Sequence, residues 1–343
     1  MNNLSQILQD DASLLVEKHG TSIAYNSNIL ITGASGLIGI NLLSFFISSR
    51  LKEKKLKIYI TFQSEEGLNF IKSIYPNENI NILNIKLDDL STTDINISFD
   101  YIFHLATYGQ PNRFTADAPK TMHLNSIAII KLFDFLSPNG IFFFCSSSEV
   151  YSGNVNFPHK EEEIGTTNTV HPRACYIEGK RFGEAYCYLK SQQGFKTYSG
   201  RISLSYGPGF RSNDKRVLNE FIFNGILKKE IKMLDDGSAV RVYCYVRDTI
   251  DMILGLIQTE HFKPINFCGT EETSILNLGK LVSNECYCNL VAGPKNTSLL
   301  GSPQVVSSCP EMITSLINKN NFVQMSEGIK NAVKWAKLIT ENN

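Results

Sequence analysis

Tyr176-Ile177-Glu178-Gly179-Lys180 sets a tyrosine and a lysine four residues apart, a spacing that places both on one face of a helix. An ammonium beside a phenol favours the phenolate. The pair is therefore expected to draw the Tyr176 pKa down toward neutrality and to make it a general base or acid at an alcohol carbon. The spacing recurs at Tyr186 and Lys190, which read as a surface or interface pair. The first pair stands out because it opens its helical segment, just after His171-Pro172-Arg173-Ala174-Cys175. Upstream, the apolar run Ile141-Phe142-Phe143-Phe144-Cys145 passes into Ser146-Ser147-Ser148-Glu149-Val150-Tyr151. At the C-terminal end of a strand, where ligands of open α/β sheets sit, a serine hydroxyl can hold a reacting oxygen. A carboxylate next to it can move a second proton.

A second group of residues would bring a cofactor to that corner. Gly33-Ala34-Ser35-Gly36-Leu37-Ile38-Gly39 follows the apolar run Asn28–Thr32 and opens a helical pattern. Glycines at this spacing allow a tight strand-to-helix turn and close approach of a pyrophosphate, which the free N–H groups of the helix start would bind. An acid that would meet the adenosine ribose is expected about 20–30 residues further on; here Ile60-Thr61-Phe62-Gln63 offers none, and no Arg or Lys stands there for a 2′-phosphate. The expected cofactor is NAD rather than NADP, with Asp88 a candidate at the adenine end.

The elements that must hold these groups read as an alternation. Runs at 28–32, 56–61, 79–85, 100–106, 140–146 and 195–203 are short and β-rich, and helix-length segments lie at 37–50, 65–74, 121–136 and 175–192. Strands alternating with helices predict parallel βαβ units, and the unbroken apolar character of IFFFC predicts a strand covered on both faces. The fold class expected is α/β, a doubly wound parallel sheet with a smaller, mainly helical C-terminal domain. Residues 3–18 form an amphipathic helical stripe (Leu4, Ile7, Leu8, Leu14, Leu15, Val16). After 203 the pattern breaks at YGPGFRSND and resumes as a helix over 216–228, and a return to the sheet is expected through VYCYV (242–246), a helix at 248–258 and PINFCG (264–269).

Composition narrows the partners. The chain has 343 residues with 33 Lys+Arg against 33 Asp+Glu. With no net charge it lacks the basic footprint of a nucleic-acid or anionic-lipid binder, so a small molecule or another protein is the expected partner. The eight cysteines form no C-x-x-C pair and have no histidines at zinc spacing; they read as reduced thiols, with no metal site. The N-terminal twenty residues carry acids and no apolar core of a signal peptide, and the longest apolar stretch, 42–47, is far below the ~20 residues of a membrane span. No membrane association and a cytoplasmic location are expected.

Taken in order, GASGLIG, HLA (104–106), SSSEVY, YIEGK and YGPG (206–209) resemble the extended short-chain dehydrogenase/reductase family, in its NAD-dependent sugar-nucleotide epimerase/dehydratase branch, over about 28–340. PRACYIEGKRFGEAYCY, NDKRVLNEF and DGSAVRVYCYVRD are most similar to UDP-glucuronate decarboxylases and their relatives. The resemblance implies a catalytic set of Ser147, Glu149, Tyr176 and Lys180. It implies NAD contacts at Gly33, Ser35, Gly36, Leu37, Ile38, Gly39, Asp88, Leu105, Ala106, Tyr176 and Lys180. Ser148 would face the sugar, Arg216 and Arg241 the nucleotide diphosphate, and helices 121–136 and 175–192 would form a homodimer. The domains implied are a helical extension (1–27), an NAD-binding Rossmann domain (28–203 plus 241–270) and a sugar-nucleotide domain (204–240 plus 271–343).

The chain departs from the family's pattern at Thr61, in place of the ribose acid, and at Leu204, where Asn is common. Ser307 and Ser308 stand where decarboxylases carry an Arg near the sugar carboxylate, leaving Arg113 and Arg173 as candidate partners for such a group. The implied reaction is transient oxidation of a nucleotide-diphosphate sugar at C4 with the cofactor recycled, ending in decarboxylation or 4,6-dehydration. Alternatives are 4-epimerisation and, from other classes, an NADP-dependent reductase or a non-catalytic NAD-binding module.

Overall fold

A computed structural model describes residues 3–87, 96–294 and 304–341. The apolar runs become β1 (Asn28–Thr32), β2 (Lys57–Thr61), β3 (Asn81–Leu83), β4 (Phe99–His104), β5 (Leu136–Ser147) and β6 (Lys196–Ile202). β7 (Leu204–Tyr206), β8 (Glu230–Lys232), β9 (Val240–Tyr245) and β10 (Ile265–Phe267) follow. One sheet of seven strands runs β10-β6-β5-β4-β1-β2-β3, parallel throughout. The order reverses between β1 and β4, where a ligand crevice is expected at the C-terminal strand ends. Successive side chains enter opposite cores: Ile29, Ile31, Phe103 and Phe143 join one apolar cluster, Leu30, Ile102, Phe142 and Phe144 the other. Coverage on both faces is why these strands read as continuous apolar runs.

The helices are α1 (Asn3–His19), α2 (Leu37–Phe46), α3 (Glu65–Ile74), α4 (Pro111–Ala116), α5 (Ala118–Leu124), α6 (Ile127–Leu132), α7 (Ala174–Gln192), α8 (Val217–Leu227), α9 (Val246–Leu256), α10 (Ile275–Cys286), α11 (Glu311–Leu316) and α12 (Met325–Glu341). The single helix expected over 121–136 is broken. Asn125 Nδ2 donates to the Thr121 carbonyl at 2.7 Å and Ser126 Oγ to that of Met122 at 2.6 Å, and short polar side chains that bond back four residues bend or stop a helix. β5 already begins at Leu136, and residues 137–140 bulge before pairing with β4 resumes at Ile141.

VYCYV does not return to the main sheet either. β9 is the centre of a small sheet, parallel to β7 and β13 (Val305–Val306) and antiparallel to β11 (Glu272–Ser274), while β8 pairs with β12 (Asn289–Val291). Among the described residues after 206, only β10 rejoins the large sheet, beside β6. α1 forms as expected and buries Leu4, Leu8, Leu15 and Val16 in the core shared with α2, α9 and α12, though Leu14 faces solvent. Its end is tied to α9: His19 Nε2 lies 2.6 Å and Lys18 Nζ 2.8 Å from the Asp251 carboxylate.

Candidate active site

The glycine turn is shaped by contacts that leave no room for a side chain. Gly33 has φ +71°, and a Cβ there would stand 2.8 Å from the Ala106 nitrogen; at Gly39 it would stand 2.3 Å from the Gly33 oxygen and 2.7 Å from the Ala34 Cα. Gly36 caps α2 without a side chain, so the first-turn N–H groups of that helix stay open to an anion. The facing wall is fixed from β1: Thr32 Oγ1 accepts from the backbone N–H groups of Leu105 (3.1 Å) and Ala106 (3.2 Å) and bonds His104 Nδ1 at 2.9 Å. His104 Nε2 reaches the Leu124 carbonyl at 2.7 Å, and burial lowers the His104 pKa to about 4, so it is a neutral cross-link rather than a titrating group.

A cleft of about 550 Å³ runs from this turn to the serine strand end. It is lined by Gly33, Ser35, Gly36, Leu37, Ile38, Gly39, Leu105 and Ala106 at one end and by Ser147, Ser148, Glu149, Tyr176, Arg113, Arg173 and Arg216 at the other. A glycine cradle, an open helix start and a groove of this length fit a dinucleotide. Thr61 and Gln63 line the mouth, where Gln63 Nε2 donates to the Tyr108 hydroxyl at 2.5 Å. Asp88 lies outside the described residues. Arg241, on β9, does not line the cleft: its Nη1 donates to the Val240 and Gln304 carbonyls, and burial lowers its pKa. Ser307 and Ser308 are buried beside His159, also away from the cleft.

At the chemical end Tyr176 is almost enclosed, and Lys180 lies directly behind with Nζ 5.5 Å from the Tyr176 ring centre. The expected fall of the Tyr176 pKa is not what the geometry produces. Burial pushes the phenol well up, against a smaller lowering by its bond to the Ser147 hydroxyl. The Lys180 ammonium is engaged instead by the Cys145 carbonyl at 2.5 Å, and burial lowers it to about 8. Ser147 Oγ accepts the Glu149 N–H at 3.2 Å, capping the short turn Ser148–Tyr151. The Glu149 carboxylate takes an ion pair from Arg173 Nη2 at 2.5 Å; burial raises its pKa, opposed by Arg173 and His171. Arg216 is held by Asp214, with Nε at 3.0 and 3.1 Å from the two carboxylate oxygens. Burial alone would raise Asp214, but the bonds from Arg216 outweigh it and lower its pKa. Arg113 is half-buried in the cleft, and no side-chain bond holds its guanidinium among the described residues.

Three supports were not anticipated from the sequence. The Phe114 ring stacks on Tyr176 at 4.5 Å and 11°. Asn125 Nδ2, at the helix break, donates to Thr107 Oγ1 at 3.0 Å. Behind Ser147 lies a buried network: Arg201 bonds both oxygens of Glu184 (2.9 and 2.8 Å), Ser146 Oγ donates to Glu184 Oε1 at 2.5 Å, and Arg201 Nη1 reaches the Tyr151 hydroxyl at 2.8 Å. Glu184 sits four residues after Lys180 on α7, and that spacing was the available signal.

The chain is 28% identical over 256 residues to a UDP-glucuronic acid decarboxylase 1 from Xenopus tropicalis, covering 74% of this chain and 59% of that protein; it thus spans about six-tenths of the length of that relative. Among solved structures, an epimerase from Methanothermobacter thermautotrophicus superposes with a TM-score of 0.76 at 17% identity, over 98% of each chain. A UDP-glucuronic acid 4-epimerase from Bacillus cereus, in complex with UDP-glucuronic acid and NAD, superposes with a TM-score of 0.73 at 20% identity, over 91% of this chain and 99% of that one. The glycine cradle and the Ser147–Tyr176–Lys180 corner both fall within residues 29–268, which match the family described as NAD dependent epimerase/dehydratase, and the chain belongs to that family.

Proposed function

We propose that this protein modifies a nucleotide-diphosphate sugar by transient oxidation at C4, with NAD retained and recycled, in a decarboxylase-like or 4,6-dehydratase-like reaction. The observation that carries the reading is one cleft holding a glycine cradle at one end and Ser147, Tyr176 and Glu149 at the other, with Lys180 beneath. When bound, the nicotinamide supplies a hydride acceptor at the sugar carbon. Gly33, Gly36 and Gly39 would hold the pyrophosphate against the start of α2. Tyr176 is placed to take the proton of the C4 hydroxyl, while Ser147 holds the oxygen. The buried Lys180 ammonium would favour the phenolate once the cleft is filled. The resulting ketone makes a C6 carboxylate β to a carbonyl and acidifies the C5 hydrogen. Loss of carbon dioxide from the first, or removal of the C5 proton by Glu149 with loss of the C6 hydroxyl, would be followed by return of the hydride to the sugar (to C4 after decarboxylation, to C6 after dehydration), which leaves the cofactor oxidised again.

Arg113 and Arg216 are the basic groups offered to the carboxylate and diphosphate. A second reading, 4-epimerisation, is favoured by the 4-epimerase among the structural neighbours. A homodimer is part of the proposal: Met122, Ile127 and Ile130 on α5 and α6, with Phe182 and Leu189 on α7, present exposed apolar side chains on the helices expected to pair. The eight free thiols fit a reducing compartment such as the cytoplasm. Among the described residues no helix is long and apolar enough to cross a membrane.

The test is mass spectrometry of products from UDP-, dTDP-, CDP- and GDP-sugars, including a uronic acid. Loss of carbon dioxide or of water supports the first reading. An isomer of unchanged mass supports the second. No conversion of any sugar, with NAD bound, refutes both.

A further inference from the structure

The pairing of Arg173 with Glu149 assigns that arginine a different task from the substrate contact its position suggested. We propose that Arg173 is a positioning residue that holds the Glu149 carboxylate in the cleft and, across Phe114, sets the plane of Tyr176. Four observations converge on it. Its Nη2 lies 2.5 Å from Glu149 Oε1. Its guanidinium lies 5.5 Å over the centre of the Phe114 ring, whose other neighbour in the stack is Tyr176 at 4.5 Å. Its own carbonyl accepts the Tyr176 N–H at 3.1 Å, so backbone and side chain brace the same tyrosine. Finally, its Nε is shut away from solvent with no acceptor among the described residues. A buried donor left unmade is unfavourable, so the ion pair and the ring contact, and not the Nε, hold this guanidinium in place. Arg113, whose guanidinium has no side-chain partner among the described residues, is left with Arg216 for an anionic substrate.

The groups around Glu149 set the expected pH behaviour. Arg173 and His171, which precede α7, favour its carboxylate, and the Tyr176 phenol is disfavoured by Glu149 and favoured by Arg173. Removing the Arg173 charge therefore raises both groups. Kinetics alone would not separate them, so the test reads Glu149 directly. The carboxyl band of Glu149 is followed by infrared difference spectroscopy against Glu149→Gln, in the NAD-loaded full chain without substrate.

Arg173→Gln should move the Glu149 midpoint up by about one pH unit or more, the usual effect of losing an opposite charge at contact distance. The acid limb of kcat should move the same way. Arg173→Lys keeps the charge but not the planar stack; it should hold the midpoint near wild type while kcat falls and KM for the nucleotide sugar changes little. An unmoved Glu149 midpoint in Arg173→Gln overturns the proposal, as does an Arg173→Lys protein whose KM rises tenfold with kcat intact. If Arg173→Gln fails to bind NAD, Arg173→Lys decides alone. The kinetic arm rests on the proposed reaction; the infrared arm does not. A wild-type protein inert toward every nucleotide sugar would sink that reaction while the titration still judged Arg173.

Discussion

The two ends of the cleft are built by different means. At the glycine end the backbone makes the site: Gly33, Gly36 and Gly39 pack against main-chain atoms, and the N–H groups that would meet a pyrophosphate are those of α2 itself. At the serine end side chains make the site, gathered from β5, α4, α7 and the segment before it. Side chains hold one another there: Glu149 is held by Arg173, Tyr176 by Phe114, and Ser146 by Glu184, which Arg201 in turn holds. A backbone-built site has little slack and breaks at once. A side-chain-built site can lose its chemistry while keeping its shape.

Gly39→Ala tests the first half most severely. Its Cβ would meet the Gly33 oxygen at 2.3 Å and the Ala34 Cα at 2.7 Å, both main chain, whereas at Gly36 the nearest atom is 3.3 Å away. Overpacking of the first kind costs up to about 3 kcal/mol, so NAD affinity measured by calorimetry should fall by up to about a hundredfold in Gly39→Ala. Gly36→Ala should stay within about tenfold of wild type. Equal effects at the two positions would mean that the turn yields freely. Tyr176→Phe tests the other half. Turnover should drop by about 10²–10⁴, the usual worth of a positioned proton-transfer group, with NAD affinity and melting temperature unchanged. A parallel loss of NAD binding would show the two ends to be one mechanical unit.

Lys180 sharpens the contrast through pH. Burial lowers its ammonium from 10.5 to about 8. Between those values the unfolded chain binds more protons than the native one, so this group's contribution to stability rises as pH climbs from about 8 to about 10.5. Lys180→Met removes that dependence and is expected to lose turnover. Below pH 8 it also removes a burial penalty of up to about 3 kcal/mol, less whatever the lost bond to the Cys145 carbonyl contributed. The difference in melting temperature between Lys180→Met and wild type should therefore shift in favour of wild type as pH is raised through that window. A difference independent of pH would show that the lysine is not held as a buried charge.

The same division governs what could be read before the fold was known. The glycine turn, the parallel strands and the Tyr176–Lys180 spacing were legible because each depends on neighbours within a few residues or on a run of apolar positions, whereas Ser147 was joined to them only through the family resemblance. Phe114 was not, because its role exists only when α4 lies against α7, 62 residues apart at the contact with Tyr176. Arg201 was invisible for the same reason: a strand arginine declares nothing until Glu184 is opposite it. The helix over 121–136 was misread because apolar periodicity continues through Asn125 and Ser126, while the break comes from their side chains bonding back to Thr121 and Met122. VYCYV was misread because β-rich character says that a strand forms, not which sheet receives it. The expected pKa of Tyr176 had the wrong sign because spacing reports a neighbour's charge but not the burial that outweighs it.

The smallest effect belongs to a side chain at the backbone-built end. Gln63, just past β2, donates to the Tyr108 hydroxyl in the loop after β4. Since β1 lies between those strands in the sheet, this bond arches over the glycine turn at the mouth of the cleft. It is exposed, and an exposed hydrogen bond is worth about 0.5–1.5 kcal/mol. Tyr108→Phe should thus speed NAD release, followed by stopped-flow fluorescence, by about tenfold at most, with the fold unmoved. A hundredfold change would mean that side chains, and not the glycine backbone, retain the cofactor, and the contrast between the two ends would fail where it should be strongest.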